Sequence, residues 1–102
     1  MKNGAPKMAK QEKREGSRPG LEEGEVFLTN IPVAYITAES AFRKSEINVR
    51  GIAVPTSILR LGDPKDAIRQ DGGPAYRHRP AFVKKEFIEA LGFKCASKDS
   101  VF

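Results

Sequence analysis

The sequence has one cysteine, Cys95, and one histidine, His78, and this scarcity excludes several kinds of chemistry. A single thiol rules out an intramolecular disulfide and any multi-cysteine metal site. Zinc takes three or four N, S or O ligands, so a zinc site here would have to lean on carboxylates. The acidic run Leu21-Glu22-Glu23-Gly24-Glu25 lacks the longer ligand pattern of a calcium loop and reads as a solvated approach to a strand. No metal or cofactor is expected. Cys95 and His78 would form a nucleophile and base only if the fold brought them together, and nothing in their local sequence points that way. Asp71-Gly72-Gly73-Pro74 is not followed by the Lys and Ser/Thr of a phosphate loop. The reading is therefore non-enzymatic.

Long apolar runs are also missing. None approaches the roughly eighteen residues of a membrane span, and the start lacks the hydrophobic core of a secretory signal. No membrane association is expected. A chain this short with a single cysteine fits a reducing, cytoplasmic setting.

At 102 residues there is room for one domain. Such a domain hides only about 60–65% of its unfolded surface, which leaves a thin margin of stability that a partner or a second copy could widen. The formal charge of +5 is unevenly placed. Residues 1–20 hold six Lys or Arg against two Glu and carry most of it, so the remainder is close to neutral. The apolar positions among those twenty residues are only two Met and two Ala. Such a stretch cannot bury enough surface to offset the entropy of ordering it. Residues 1–22 are accordingly expected to be a disordered basic tail, 23–94 a single α+β domain, and 95–102 a loose C-terminal tail.

Within the domain, Glu25–Thr29 is rich in strand formers and Asn30-Ile31-Pro32 punctuates it. Val33–Thr37 is a second strand candidate, although Pro32 suits the first position of a helix equally well. Thr37 is a reasonable cap for a short helix placing Ala38, Ala41 and Phe42 on one face. Ile47–Val54 reads as a central strand whose second face turns apolar halfway along, with Gly51 marking a bulge or a close approach. Thr56 or Ser57 could cap a short turn, and Asp63-Pro64 opens a helix through Gln70. In Pro80–Leu91 a helical spacing puts Val83, Phe87, Ile88 and Leu91 on one face, or Ala81–Val83 is a strand feeding a helix from Lys84. Gly92 fits the left-handed position after that helix, with Phe93 folding back on Ile88. The expected fold is a small α+β domain, a three- to four-stranded sheet from residues 25–54 and 81–83 packed against the C-terminal helix.

The segment that most resembles a contact surface is Tyr76-Arg77-His78-Arg79-Pro80, with Lys84 and Lys85 close behind. It offers an aromatic face for stacking and guanidinium groups for phosphate. Arg60, Lys65 and Arg69 would extend it if the preceding helix lay alongside. In the tail, Lys7, Lys10, Lys13, Arg14 and Arg18 could add backbone contacts to a polyanion. The bland alternative is that Tyr76 packs on the core and the arginines solvate a loop. Phosphate contacts position a protein without reading sequence, and no finger, helix-turn-helix or RNP-like signature is present. Two function classes remain. One is an interaction module that binds another protein or a second copy: an adaptor, an inhibitor or a small subunit. The other is a nucleic-acid-associated accessory protein using the tail and the Tyr76–Arg79 loop.

Overall fold

A computed structural model describes residues 18–69, 71–96 and 99–101. The expected disorder of residues 1–17, with Lys7, Lys10, Lys13 and Arg14, lies outside the described residues.

Three antiparallel strands form the main sheet in the order β1 (Glu25–Pro32), β5 (His78–Lys84), β4 (Arg60–Leu61). The central strand is thus β5, built from residues that the helical spacing of Val83, Phe87 and Ile88 competes for. The strand alternative is the one adopted: β5 runs to Lys84 and α2 spans Lys85–Ala90. Ala81, Phe82 and Val83 are all buried, as befits a strand covered on both faces. Of the proposed helix face, Val83 is buried as part of β5 and Ile88 as part of α2, while Phe87 is 43% exposed and Leu91 is partly buried.

Between Phe27 and Thr29 the register shifts, so Leu28 is an extra residue in β1. This bulge resets which side chains share a face. Glu25, Phe27, Asn30 and Pro32 pair with Lys84, Phe82, Pro80 and His78 on one face. Val26, Leu28 and Ile31 stand on the other with Ala81 and Val83, and they join Ile36, Phe42, Val49, Val54, Leu59, Ile88, Phe93 and Val101 in the apolar core. The second face is smaller and mixed. Phe27 and Phe82 meet edge to face with centroids 6.3 Å apart. Arg18 lies 3.5 Å over the Phe27 ring and Arg60 4.8 Å over Phe82.

Residues 46–55 are not a central strand but a separate hairpin, β2 (Glu46–Val49) and β3 (Ile52–Pro55). Arg50 and Gly51 both have positive φ, 52° and 86°, the signature of a two-residue type I′ turn. The Asn48 side chain accepts a hydrogen bond from the Gly51 N–H at 3.0 Å. A two-residue turn swaps the parity of inward positions, so Ile47 and Val49 pair with Val54 and Ile52 on one buried side. That parity switch is what makes the segment look apolar on both faces.

The remaining elements are short. Val33–Ile36 is a 3-10 turn rather than a strand. The helix α1 spans Glu39–Arg43 and is flanked by Ala38, not by a Thr37 cap, and of its proposed apolar face only Phe42 is buried. Thr56–Ile58 and Pro64–Asp66 are single 3-10 turns, so the helix expected from Asp63-Pro64 stops at Asp66, and its expected end at Gln70 lies outside the described residues. Arg43 donates to the carbonyls of Thr56 at 2.8 Å and Leu59 at 2.7 Å, tying α1 to the chain that leaves the hairpin. Fully buried Thr56 directs its hydroxyl to the Phe42 carbonyl. After α2, Gly92 (φ 103°) and Phe93 donate to Glu89 and Ile88, the expected Schellman pair. The C-terminal residues run beside the free edge of β1: Phe27 N–H donates to Asp99 and Val101 N–H to Phe27. Residues 18–22 likewise lie against the sheet, through Arg18 and through the Glu22 N–H bonded to Glu25. Among the described residues, no helix is long and apolar enough to cross a membrane.

Candidate functional site at the Tyr76–Arg77 turn

The polypeptide reaches β5 through a tight turn in which His78 N–H donates to the Ala75 carbonyl at 3.0 Å. Tyr76 and Arg77 are its two central residues, and central turn positions point away from the body of a domain. Tyr76 is 78% exposed, so it does not pack on the core. A second bond, from Val33 N–H to the Arg77 carbonyl at 2.8 Å, fixes the turn to the end of β1. Tyr76 and Arg77 then border a cleft of about 560 Å³ with Pro32, Val33, Ala34, Pro64 and His78. Its walls are largely apolar, and Val33 is itself 40% exposed.

The basic residues singled out from sequence do not form one patch. Arg60 makes a forked contact with Glu25, Nη2 to Oε1 at 2.7 Å and Nε to Oε2 at 2.9 Å, and also donates to the Gly20 carbonyl. For Glu25, burial pushes the carboxyl up, but the hydrogen bonds from Arg60 and Glu22 and the nearby positive charges outweigh it, leaving the carboxyl below its ordinary value. The same pairing holds the Arg60 guanidinium above its usual value against the opposing effect of burial. Arg79, in a strand rather than a loop, donates from Nε to the Gly62 carbonyl at 2.7 Å and from Nη2 to Leu61. Arg69 sits 3.4 Å from Asp71, whose carboxylate also accepts from Gly73 N–H and so closes the Gly72-Gly73 turn. Three of the expected contact arginines are therefore engaged within the fold. Lys84 and Lys85 are exposed at the far end of β5 from Arg77. Arg77 is exposed and has no ion pair among the described residues.

A second cavity, of about 360 Å³, lies on the mixed face of the sheet and shares His78 with the first. Asn30 and His78 are among its lining residues, and Asn30 Oδ1 and His78 Nδ1, both closed off from solvent, have no hydrogen-bond partner among the described residues. Leaving such an atom unpaired costs about 1–3 kcal/mol, so these two positions are notable in a small domain.

Asn30, Val33 and Pro64 are functional-site candidates that motif reasoning passes over. Their only advance signal is the pairing of two prolines with an aromatic-basic turn, which becomes meaningful once the register puts Pro32 opposite His78. No group of three or more potential metal ligands occurs among the described residues. No protein-family model matches this chain, and the searches of curated proteins and of solved structures likewise find no match.

Proposed function

We propose that the protein is a small interaction module whose docking surface is the cleft bordered by Tyr76 and Arg77. Its partner is a protein segment carrying a proline or aromatic anchor next to an acidic side chain. The observation that carries this reading is an exposed Tyr76 held on a hydrogen-bonded turn beside Pro32, Val33, Ala34 and Pro64. Tyrosine and arginine are enriched where interfaces concentrate their energy, and grooves lined by aromatics take extended, proline-bearing segments. The acidic preference rests on Arg77 and on the excess of positive charge in the chain. Beside Pro64 stand Asp63 and Lys65, of opposite sign, so Arg77 is the charge that sets the preference.

The nucleic-acid reading draws on the same turn but loses support from Arg60, Arg69 and Arg79, each of which is occupied by a carboxylate or carbonyl of its own chain. The tail cations remain its main resource.

The reading is tested by nitrogen-15 NMR titration of the full chain with two matched peptides, one placing a proline and an aromatic residue beside two aspartates, the other beside two lysines. Shift changes centred on residues 32–34, 64 and 76–78, with at least about tenfold preference for the acidic peptide, are expected; tenfold corresponds to roughly 1.4 kcal/mol. Shifts scattered over the surface, or no preference, would count against it. Concentration-dependent dimerisation through the same residues would replace the foreign segment with a second copy.

A further inference from the structure

We propose that the protein forms a symmetric dimer through the outer edge of β2, each copy adding its Glu46–Val49 strand antiparallel to that of the other. This edge lies on the hairpin, apart from the Tyr76 cleft, and the inference does not depend on the docking role given to that cleft.

A bare strand edge is a template for further pairing, and folded domains close such edges. On β1, Phe27 gives its N–H to the Asp99 carbonyl and its own carbonyl to Val101. At β4, only two residues long, the carbonyls of Leu59 and Leu61 accept from the guanidinium groups of Arg43 and Arg79. The strand β3 ends in Pro55, which has no N–H to offer a neighbour. The edge of β2 has none of these devices. Thr56 N–H donates to the Ser45 carbonyl, which sets the alternation: residues 45, 47 and 49 turn their backbone groups to β3, and Glu46 and Asn48 turn theirs outward. Among the described residues, no backbone hydrogen bond reaches Glu46 or Asn48 from the outer side. Both side chains are exposed.

The edge is complementary to itself. An antiparallel partner sets outward residues opposite outward residues, so the register centred on Ile47 joins Glu46 to Asn48 of the second copy twice, with four backbone hydrogen bonds. Registers centred on Glu46 or on Asn48 make two within the strand, and the first of them sets two carboxylates face to face. In the favoured register each Glu46 carboxylate meets an Asn48 amide instead. Asn48 Oδ1 already accepts from Gly51 N–H at 3.0 Å, so the amide presents its donor Nδ2 to a group that only accepts. On the inner face, partly buried Ile47 meets its own counterpart. A cleft of about 260 Å³ lined by Tyr35, Phe42, Ser45, Glu46 and Ile47 opens beside this edge. Pairing brings the two clefts together across the axis and covers Tyr35, which is 68% exposed. It also turns a two-stranded hairpin, marginal by itself, into a four-stranded sheet.

A contact of this size is weak, with an expected Kd on the order of 0.1–1 mM. Sedimentation equilibrium on the full chain, with amide shifts followed by NMR as its concentration rises to millimolar, tests the proposal. A monomer–dimer equilibrium is expected, with shifts centred on residues 46–48 and on Tyr35. Asn48→Asp keeps the acceptor for Gly51 N–H but sets carboxylates face to face across the axis, and should weaken dimerisation by about tenfold. Adding Glu46→Lys to that variant makes both pairs opposite in charge and should restore the original affinity or exceed it. If Asn48→Asp fails to fold, the concentration-dependent shifts of the unaltered chain still decide. A chain that stays monomeric at millimolar concentration, a dimer whose shifts fall on residues 32–34, 64 and 76–78 instead, or an Asn48→Asp variant that dimerises as before would overturn the proposal. So would shifts at residues 46–48 that appear only when one of the two docking peptides is added, which would give this edge to a foreign strand.

Discussion

Arg60 and Glu25 form a forked ion pair that closes the mixed face of the sheet: Nη2 lies 2.7 Å from Oε1 and Nε 2.9 Å from Oε2. Glu25 sits at the start of β1 and Arg60 in β4, the two strands that flank β5. The pair joins the outer strands over Phe82, against whose ring the Arg60 guanidinium rests. The Glu25 side chain is only 4% exposed and that of Arg60 36%, so removing the arginine strands a buried carboxylate. Arg60→Ala should destabilise the domain by about 2–3 kcal/mol, below the roughly 3–5 kcal/mol of a fully buried pair because Arg60 is partly in water. Urea denaturation checks this. Arg60→Lys should recover less than half, since an ammonium cannot reproduce the fork.

The same pair gives stability a dependence on acid. Glu25 ionises more readily in the folded state than its ordinary value of 4.5. Its contribution is therefore complete above that value and disappears as pH falls through the lower, folded one. In a Glu25→Gln variant the gap to the unaltered protein should shrink steadily on acidifying below about pH 4.5. A gap that widens there would show the sign to be wrong.

Thr56 is buried with its hydroxyl on the Phe42 carbonyl and its N–H on Ser45. Thr56→Val keeps the shape and removes the hydroxyl from the Phe42 carbonyl, which still accepts from the Ser45 N–H and Oγ, so a drop in stability of about 0.5–1.5 kcal/mol is expected. Arg43→Ala should act on the same joint, because it removes both hydrogen bonds from α1 to the carbonyls of residues 56 and 59. The two effects should fall short of additive in a double-mutant cycle.

The hairpin turn offers a backbone test. Gly51 has φ 86° and open space around it, so any cost of a side chain is conformational rather than steric. Gly51→Ala should lower stability by about 1 kcal/mol and Gly51→Val by more, given the penalty on branched side chains at positive φ. Thermal unfolding reads the difference.

Much of the fold is legible in the residues, and where it is not the reasons are specific. The α+β class, the strand from Glu25, the loop at residues 71–74 and the Gly92 cap follow from turn chemistry and from β-branched runs. The central position of β5 does not, because Val83, Phe87 and Ile88 satisfy a helical spacing as well as Ala81–Val83 satisfy a buried strand. Only the pairing with β1 decides between them. The hairpin at residues 46–55 is readable in principle: the switch of parity at Arg50-Gly51 marks a two-residue turn. Asp63-Pro64 begins a helical turn, but no apolar stripe follows to hold a longer helix against the core.

At the site, sequence picks out Tyr76 and Arg77 because residue type and turn context coincide. It overcounts the arginines. Whether a guanidinium meets solvent or a carbonyl forty residues away, as Arg60 meets Gly20, is a property of tertiary placement that no local pattern encodes.

The nucleic-acid alternative makes a separate expectation. Since Arg60 and Arg79 are held internally, substituting them should not alter the salt slope of any binding to mixed-sequence nucleic acid. Replacing Lys7, Lys10, Lys13 and Arg14 with glutamine should flatten it, by about 0.7–0.9 for each phosphate no longer neutralised. Arg18 is left in place because it rests on Phe27.

Tyr76→Ala combined with Arg77→Glu should leave stability within about 0.5 kcal/mol of the unaltered protein, because both side chains stand outside the core. That makes the double variant a clean control for docking. The most direct measurement is a peptide-display selection on the full chain, run in parallel on this variant. The expected result is enrichment of sequences with a proline or aromatic anchor beside Asp or Glu on the unaltered protein, and their disappearance on the variant. No enrichment, or the same peptides recovered equally from both, would contradict the assignment of this cleft as a docking surface.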